Sequence, residues 1–362
     1  MNTFFLDRLN SEPHALAFAG QSTPWPVALA DQSANPALDE ALHTHAAAAQ
    51  ALLYPVSAEL LATTGRPVDL FGFEPNPARL GAAAAASASV PGIALTQLGA
   101  LLDAAALGYN PAQAKPVAVL GHSQGVLAVH MVQAICEAGS IDAAAAKIDE
   151  ILAIATLIGV AGTRQARQLG LAARHGEATP MLSVKDITRA QVDALIERVD
   201  GARGPIAVAV TNSATHYVLS GYPEDLAAFG VEVAKEHKRQ AKLREEKVRG
   251  GRVFDPTLEY LDVTLPFHSP LMADAVSQAV AWAEACGINA DHARELAAEV
   301  LLNHVDWAAR VRALMKSTDP SALWVLDFGP GNTVGKLFST VAQGTGVGVV
   351  EASTVEDRGA LS

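Results

Sequence analysis

The feature that most constrains the fold of this chain is the pentapeptide Gly121-His122-Ser123-Gln124-Gly125. The residues before it, 115–120, form a short apolar run that predicts a buried strand. The residues after it, 126–135, have helical composition and contain neither proline nor glycine. A strand, a sharp turn between two glycines and a helix form a nucleophile elbow, which holds a serine hydroxyl out at the end of a strand. The alternative is an ordinary glycine-rich turn.

The composition predicts a globular protein with more than one structural unit. The chain has 362 residues, a length greater than one compact core normally uses, and half of these residues are hydrophobic. The net charge of −12 argues against a nucleic-acid partner, because phosphate backbones would be repelled.

The cysteines and the N-terminal sequence indicate a location. Cys136 and Cys286 are far apart, so neither a disulfide framework nor a metal site is expected. The N-terminus carries charges too early for a signal peptide, and no apolar run reaches membrane-spanning length. We expect a cytoplasmic protein with no membrane association.

The order of predicted elements indicates an α/β protein with an inserted subdomain. Residues 15–19 predict a first strand, Ser89 a helix N-cap, residues 290–309 one helix, and residues 323–328 and 347–350 late strands. Between them the chain predicts a βαββαβ, ferredoxin-like order whose last strand is 261–265. We therefore expect an α/β-hydrolase-like large subdomain from residues 1–175 and 266–362, with residues 176–265 as the small inserted subdomain.

A serine nucleophile needs an adjacent base, and His268 is the histidine best placed to supply it. It follows the last predicted strand of the insertion and lies between Pro266 and Pro270, where the two subdomains meet. The alternative is a histidine that caps the following helix. His122, beside the nucleophile, is expected to pack or to form a hydrogen bond. His43, His45, His175, His237 and His292 have polar or helical contexts, typical of surface positions.

The remaining groups of the predicted site are an orienter for the base and two oxyanion donors. Asp262, Asp306 and Asp327 are possible acidic orienters, and Asn303 is a neutral one. The backbone N–H of Gln124, directly after the nucleophile, is the first oxyanion donor by geometry. The loop Gly20-Gln21-Ser22, at the end of the first strand, offers Gln21 as the second.

Together these segments resemble the malonyl/acyl-CoA:carrier-protein transacylase family. The similarity rests, in the family order, on Gly20-Gln21-Ser22, the pentapeptide, Phe267-His268-Ser269, Asn303-His304-Val305 and Gly329-Pro330-Gly331. Residues 121–129, 157–163 and 247–254 further resemble the N-terminal acyltransferase of actinobacterial type I fatty acid synthases. The resemblance implies priming of fatty acid synthesis, with acetyl-CoA as donor, the phosphopantetheine of an acyl carrier protein domain as acceptor, and no permanently bound cofactor. The rest of a type I synthase is the implied partner.

The resemblance also addresses the acyl group. Malonyl-transferring relatives carry an arginine that pairs with the substrate carboxylate, where this chain has Leu157 and Ile158. Val90 replaces a glutamine common in relatives, and Phe267 completes the expected acyl pocket. These apolar residues favour acetyl, unless Arg164 or Arg167 takes the arginine position.

Three alternatives remain open at this stage. The first is a malonyl- or palmitoyl-type transacylase, the second a thioesterase or lipase-like hydrolase with an acidic triad member, and the third a structural module whose serine is idle. A basic run is either a solvated helix face or a contact with a carrier domain, coenzyme A or the synthase body; it comprises Lys235, Lys238, Arg239, Lys242, Arg244, Lys247, Arg249 and Arg252.

Overall fold

The large subdomain is built on a four-stranded parallel sheet in the order β2-β1-β8-β9. The computed structural model describes residues 12–70, 85–171, 178–245 and 254–352. All five residues of β1 are buried, as expected for a central parallel strand covered on both faces. The strands of this sheet are β1 (His14–Phe18), β2 (Ala118–Gly121), β8 (Trp324–Asp327) and β9 (Gly348–Glu351).

Helices surround this sheet. Several begin at side-chain caps that the sequence displays, such as Asn35 before a proline, whose side chain accepts a hydrogen bond from the N–H of Ala37. The helices of the large subdomain are α1 (Trp25–Ser33), α2 (Pro36–Leu52), α3 (Ser57–Thr64), α4 (Ala86–Ala106), α5 (Pro111–Ala114), α6 (Val126–Ala138), α7 (Ala145–Gln168), α10 (Ala273–Ala285), α11 (Ala290–Leu301), α12 (Trp307–Ser317) and α13 (Thr333–Val341).

The small subdomain has a five-stranded sheet in the order β6-β3-β5-β4-β7. Its first four strands are antiparallel neighbours in the ferredoxin-like order. The elements are β3 (Met181–Lys185), α8 (Arg189–Ile196), β4 (Ala207–Ser213), β5 (His216–Ser220), α9 (Pro223–Glu245), β6 (Thr257–Tyr260) and β7 (Val305–Asp306). The predicted fold class, an α/β-hydrolase-like large subdomain with a ferredoxin-like small one, is confirmed.

Strand alternation gives the small sheet two different faces. Leu182 and Leu219 pack with α8 and α9 in a separate hydrophobic cluster. Met181 and Val218, one residue away on the same strands, belong to the core of the large subdomain. The small sheet therefore covers the large subdomain with one face and carries its helices on the other.

Three sequence predictions about element bounds were wrong. The last strand of the insertion is Thr257–Tyr260, because the apolar residues of 261–265 instead pack in the large core. The predicted helix 290–309 is interrupted by β7, which pairs in parallel with β4. Helix α4 begins at Ala86 and Ser89 is not its cap; Thr264 and Thr163 hydroxyls, supplied by distant segments, accept hydrogen bonds from the N–H groups of Ala86 and Ser87 at 3.2 and 3.1 Å.

Within the described residues, the length and composition of the helices and the grouping of metal-binding side chains bear on membranes and metals. Helix α4 alone is long and apolar enough to cross a membrane by length and composition, but most of its apolar stretch is buried inside the protein, as in the core helix of a globular domain. No group of His, Cys, Asp or Glu side chains in the described ranges has an arrangement suited to a metal ion.

Candidate active site

The elbow places Ser123 at the point where β2 ends and α6 begins. Ser123 has a left-handed backbone with φ of 55°, a conformation that costs a non-glycine residue about 1–2 kcal/mol. Residues Ser123–Gly125 form one 3₁₀ turn, which α6 continues. A side chain at Gly125 would overlap the carbonyl oxygen of Phe18, so only glycine lets the turn lie this close to β1. The pentapeptide thus forms the strained turn that a nucleophile elbow requires.

His268, just after the insertion, lies beside this serine, close to the junction of the two subdomains. Its Nε2 lies 2.7 Å from Ser123 Oγ, and its Nδ1 lies 2.8 Å from the backbone carbonyl oxygen of Asn303. Because a carbonyl only accepts, Nδ1 carries the proton, and the lone pair of Nε2 faces the serine hydroxyl. The Ser123 hydroxyl therefore donates to His268, which is the arrangement of a general base.

Burial sets the protonation state of this pair. His268 is 2% exposed, and its desolvation lowers the imidazole pKa to about 3, an effect to which the positive charge of Arg310 contributes. The imidazole is consequently neutral near pH 7 and able to take a proton. Like Ser123, His268 has a left-handed backbone, with φ of 57°.

None of the three acidic residues considered as orienters contacts His268. Asp262 is exposed, and Asp306 caps α12 by accepting a hydrogen bond from the N–H of Ala309 at 2.8 Å. Asp327 is fully buried, and this burial raises its pKa to about 7. Its two carboxyl oxygens accept hydrogen bonds from the N–H groups of Gly329 and Gly335, each at 2.8 Å. The orienter is the main-chain carbonyl of Asn303.

The Gly20-Gln21-Ser22 loop lies against the nucleophile. A Cβ added to Gly20 would stand 2.7 Å from the Cβ of Ser123 and 3.3 Å from its Oγ. The side-chain Nε2 of Gln21 donates to the side-chain Oε1 of Gln124. This contact places the loop beside the first turn after the nucleophile, which opens with the N–H of Gln124 and continues with that of Gly125, a donor to the His122 carbonyl oxygen at 3.0 Å.

His122 fastens the elbow to the small subdomain. Its Nε2 lies 2.8 Å from Oδ1 of Asn212 on β4, and its ring packs edge-on against buried Trp307 at 5.4 Å between centroids. Asn212 is 3.4 Å from the ring of His216, which reaches Ser183 at 3.0 Å. The predicted supporting role of His122 thus corresponds to a definite set of contacts.

Asn212 and Arg310 were missed by sequence reasoning. Arg310 Nη1 donates to the carbonyl oxygen of Gly121, the last residue of β2, at 2.8 Å. Neither residue belongs to a recognisable motif. The sequence feature that could have identified Asn212 is its polar side chain at an alternating position of β4, on the face of the strand turned toward the large subdomain.

The residues expected to form the acyl pocket are all buried. Leu157, Ile158 and Val90 have no exposed surface, and Phe267 lies beside His268 with ring centroids 6.5 Å apart. The carbonyl oxygen of Val90 accepts a hydrogen bond from Gln124 Nε2 at 3.2 Å, which ties α4 to the elbow.

Arg164 and Arg167, the two alternatives for the arginine position of malonyl-transferring relatives, are engaged elsewhere. Arg164 donates to Gln278 at 3.0 Å and lies over the ring of Trp282 on α10. Arg167 donates to the carbonyl of Thr63, near the end of α3. Both side chains therefore point toward the helices packed on α7.

Several of the other histidines and two members of the basic run have structural partners within the protein. His45 lies 2.6 Å from Asp149, and in α9 Lys235 pairs with Glu232 and Arg239 with Glu236. Helix α9 lies on the face of the small sheet opposite Asn212, so its charges face away from Ser123. Further contacts involve His43, His237 and His292, whereas His175, Lys247, Arg249 and Arg252 lie outside the described residues.

Comparison with known sequences relates the chain to fungal fatty acid synthases. A family model described as the fatty acid synthase central AT domain matches residues 180–260. The fatty acid synthase β subunit TOXC of Cochliobolus carbonum is 27% identical over 310 residues, which cover 74% of this chain and 14% of that protein. The β subunit of Saccharomyces cerevisiae is 25% identical over 302 residues, with the same two coverages. The chain thus spans about 14% of the length of these relatives.

Comparison with solved structures identifies the fold. MCAT from Mycobacterium tuberculosis superimposes with a TM-score of 0.62 and 19% identity, covering 96% of this chain and 99% of that one. The malonyl-CoA:acyl carrier protein transacylase of Xanthomonas oryzae superimposes with a TM-score of 0.61 and 19% identity, covering 97% of this chain and 98% of that one. The chain has the transacylase fold. In this fold the Ser123–His268 pair lies where the subdomains meet, while the resemblance to actinobacterial synthases stays a prediction.

Proposed function

We propose that this chain is an acyltransferase domain of a cytoplasmic fatty acid synthase, which moves an acyl group from coenzyme A to the phosphopantetheine thiol of an acyl carrier protein domain. The observation that carries the proposal is the Ser123–His268 pair, 2.7 Å apart and oriented by the Asn303 carbonyl, within a transacylase fold. The similarity of the small subdomain to the central AT domain of fatty acid synthases supports the context.

The geometry suits a two-step transfer. His268 Nε2 takes the hydroxyl proton of Ser123 while Oγ attacks the thioester carbonyl. The tetrahedral oxyanion is held by the N–H groups of Gln124 and Gln21. The intermediate collapses, the C–S bond breaks, and coenzyme A leaves as a thiol with the proton from His268. The pantetheine thiol then returns a proton to His268, attacks the acyl-serine and releases the Ser123 hydroxyl.

The neutral orienter favours transfer over hydrolysis. A carbonyl stabilises the imidazolium of His268 less than a carboxylate would, so this base is comparatively weak. A thiol has a pKa of about 8.5, far below that of water, so a weak base activates the incoming thiol far more readily than water. The hydrolase alternative predicted an acidic orienter, and the atom bonded to His268 Nδ1 is instead the Asn303 oxygen.

We further propose acetyl as the acyl group. Ile158, aligned with the arginine of malonyl-transferring relatives, is fully buried between apolar neighbours on α7. Leaving a carboxylate there without a partner would cost several kcal/mol. Arg164 and Arg167 form their hydrogen bonds with Gln278 and Thr63, away from the elbow. A malonyl group remains the second candidate, because the similar solved proteins are described as malonyl transacylases.

Mass spectrometry of the peptide that carries Ser123 tests both levels of the proposal. With acetyl-CoA and no acceptor, we expect about one acetyl group per chain, after which coenzyme A release stops; adding pantetheine restarts it. Ser123→Ala should take up no label. Continuous coenzyme A release without acceptor identifies a hydrolase, and an unlabelled serine with every acyl-CoA identifies a structural module. Faster labelling by malonyl-CoA than by acetyl-CoA refutes only the choice of acyl group.

A further inference from the structure

Three segments around the nucleophile are joined by one line of side-chain hydrogen bonds. Gln21 Nε2, on the loop after β1, donates to Gln124 Oε1, and Gln124 Nε2 donates to the carbonyl oxygen of Val90 on α4 at 3.2 Å. We call this line the glutamine clamp. Neither hydrogen bond is required by the Ser123–His268 pair, so the mechanism above leaves the Gln124 side chain without a role.

The direction of the clamp is fixed by its last member. The Val90 carbonyl only accepts, so the amide end of Gln124 that faces it is the NH₂ group. The oxygen of the same amide then faces Gln21, which must present its own NH₂ group. A flipped Gln124 amide would set two oxygens against each other at Val90 and two NH₂ groups against each other at Gln21. The clamp therefore has one stable arrangement.

Burial makes the clamp strong. Gln124 has no exposed surface, so an amide that lost its partners would stay desolvated and without hydrogen bonds. Gln21 is only partly exposed. The same loop is held from its other side by Gln97 on α4, whose Nε2 donates to the carbonyl of Ala19 at 2.7 Å. Two buried glutamines thus attach the Gly20-Gln21-Ser22 loop to α4.

We propose that the Gln124 side chain is a positioning residue, which acts through Gln21 to hold the second N–H donor at the oxyanion. The inference deepens the proposed function and rests on it for the identity of the two backbone donors. An oxyanion donor works only if it stands in place before charge develops, and a displacement of about 1 Å costs about a hundredfold in rate. Gln124 thus contributes its N–H directly and fixes the Gln21 N–H through its side chain.

A fluorophosphonate probe tests the clamp independently of the natural acyl donor. Ser123 Oγ forms a bond to phosphorus, the P–F bond breaks, fluoride leaves, and the serine proton passes through His268 to solvent; the phosphoryl oxygen occupies the oxyanion position. Gln124→Met keeps the volume and removes both hydrogen bonds. The matched control is Gln32→Met, which removes a buried glutamine bond to the Thr96 carbonyl, 2.9 Å, between α1 and α4.

We expect Gln124→Met to lower the maximal phosphonylation rate about ten- to hundredfold while the half-saturating probe concentration changes less than about twofold. Gln32→Met should react like the wild type. Gln21→Met removes the same bond from the partly exposed side, and the double variant should be no slower than the slower single one. This second variant also serves if Gln124→Met does not fold.

A wild-type rate in folded Gln124→Met, or in Gln21→Met, overturns the clamp proposal. So does a loss that appears only in the half-saturating concentration, because that would place the glutamines in probe binding. If the wild type reacts with the fluorophosphonate and the variants are slow, but no acyl-CoA labels Ser123, the proposed function is wrong and the clamp stands. The two failures are therefore distinguishable.

Discussion

Gly20→Ala is the most direct test of how closely the oxyanion loop approaches the nucleophile. The added methyl group would lie 2.7 Å from the Ser123 Cβ, 2.8 Å from the His122 carbonyl oxygen and 3.3 Å from Ser123 Oγ. Carbon atoms in contact normally stand about 3.5–4.0 Å apart, so the loop or the elbow must move by about 1 Å. A shift of that size breaks the 2.7 Å hydrogen bond to His268 or misplaces the Gln21 N–H.

The expected effect is mainly on rate. Overpacking of this kind costs about 1–3 kcal/mol of unfolding free energy, whereas a misplacement of about 1 Å costs about a hundredfold in the chemical step. The assay is rapid-quench mass spectrometry of acyl-Ser123 at saturating acyl-CoA, with thermal unfolding in parallel. Gly230→Ala on α9 is the matched control, because its added Cβ meets only a Leu258 methyl group at an ordinary 3.6 Å. A folded Gly20→Ala protein that acylates within twofold of the wild type would refute this reading of the loop.

Substitution of three buried side chains gives further predictions. Ile158→Arg should raise malonyl labelling relative to acetyl labelling at least tenfold and lower the melting temperature, since it buries a charge that only a malonyl carboxylate neutralises. Ile158→Met is the control for packing, and an unchanged ratio of malonyl to acetyl labelling in Ile158→Arg refutes the pocket assignment. Asn212→Leu should cost about 1–3 kcal/mol in urea unfolding, because His122 Nε2 loses its buried partner, and a change below about 0.5 kcal/mol contradicts this account. The pKa of His268 falls from 6.5 in the unfolded chain to about 3 in the folded protein, so the acylation rate should stay constant from pH 8 to 5, and a step in the wild-type rate near pH 6.5 would show a base with an ordinary pKa. The contribution of this histidine to stability is complete above pH 6.5 and is lost as the pH falls toward 3, and His268→Gln should flatten that part of the stability profile.

The sequence predicted those parts of the site that local backbone geometry determines. The elbow follows from a strand, two glycines and a helix, and His268 follows from two prolines at the end of an inserted subdomain. The interrupted helix near residue 303 shows the limit of such reasoning. Helical composition continues through it, but β7 replaces a helical turn because β4 offers a strand edge there, and this frees the Asn303 carbonyl for His268.

Contacts between distant segments account for the rest. Ser89 has the composition of a helix cap, yet α4 starts four residues before the position that such a cap predicts, because Thr163 and Thr264 supply the first acceptors. Asn212 reaches His122 only after the two subdomains have packed together. No spacing in the chain encodes these pairings, since the partners are set by the assembly of the two subdomains.

The short strand β7 has a consequence for exchanging parts between related proteins. Its two residues lie in the part of the chain that follows the insertion, two positions beyond the Asn303 carbonyl that holds the base, but they hydrogen-bond to β4 in the small sheet. A chimera that replaced residues 178–260 alone would keep Ser123, His268 and Asn303, yet give β7 a foreign neighbour. Such a hybrid would inherit every reacting group and lose the alignment between them, so grafts should include residues 301–307 together with the insertion.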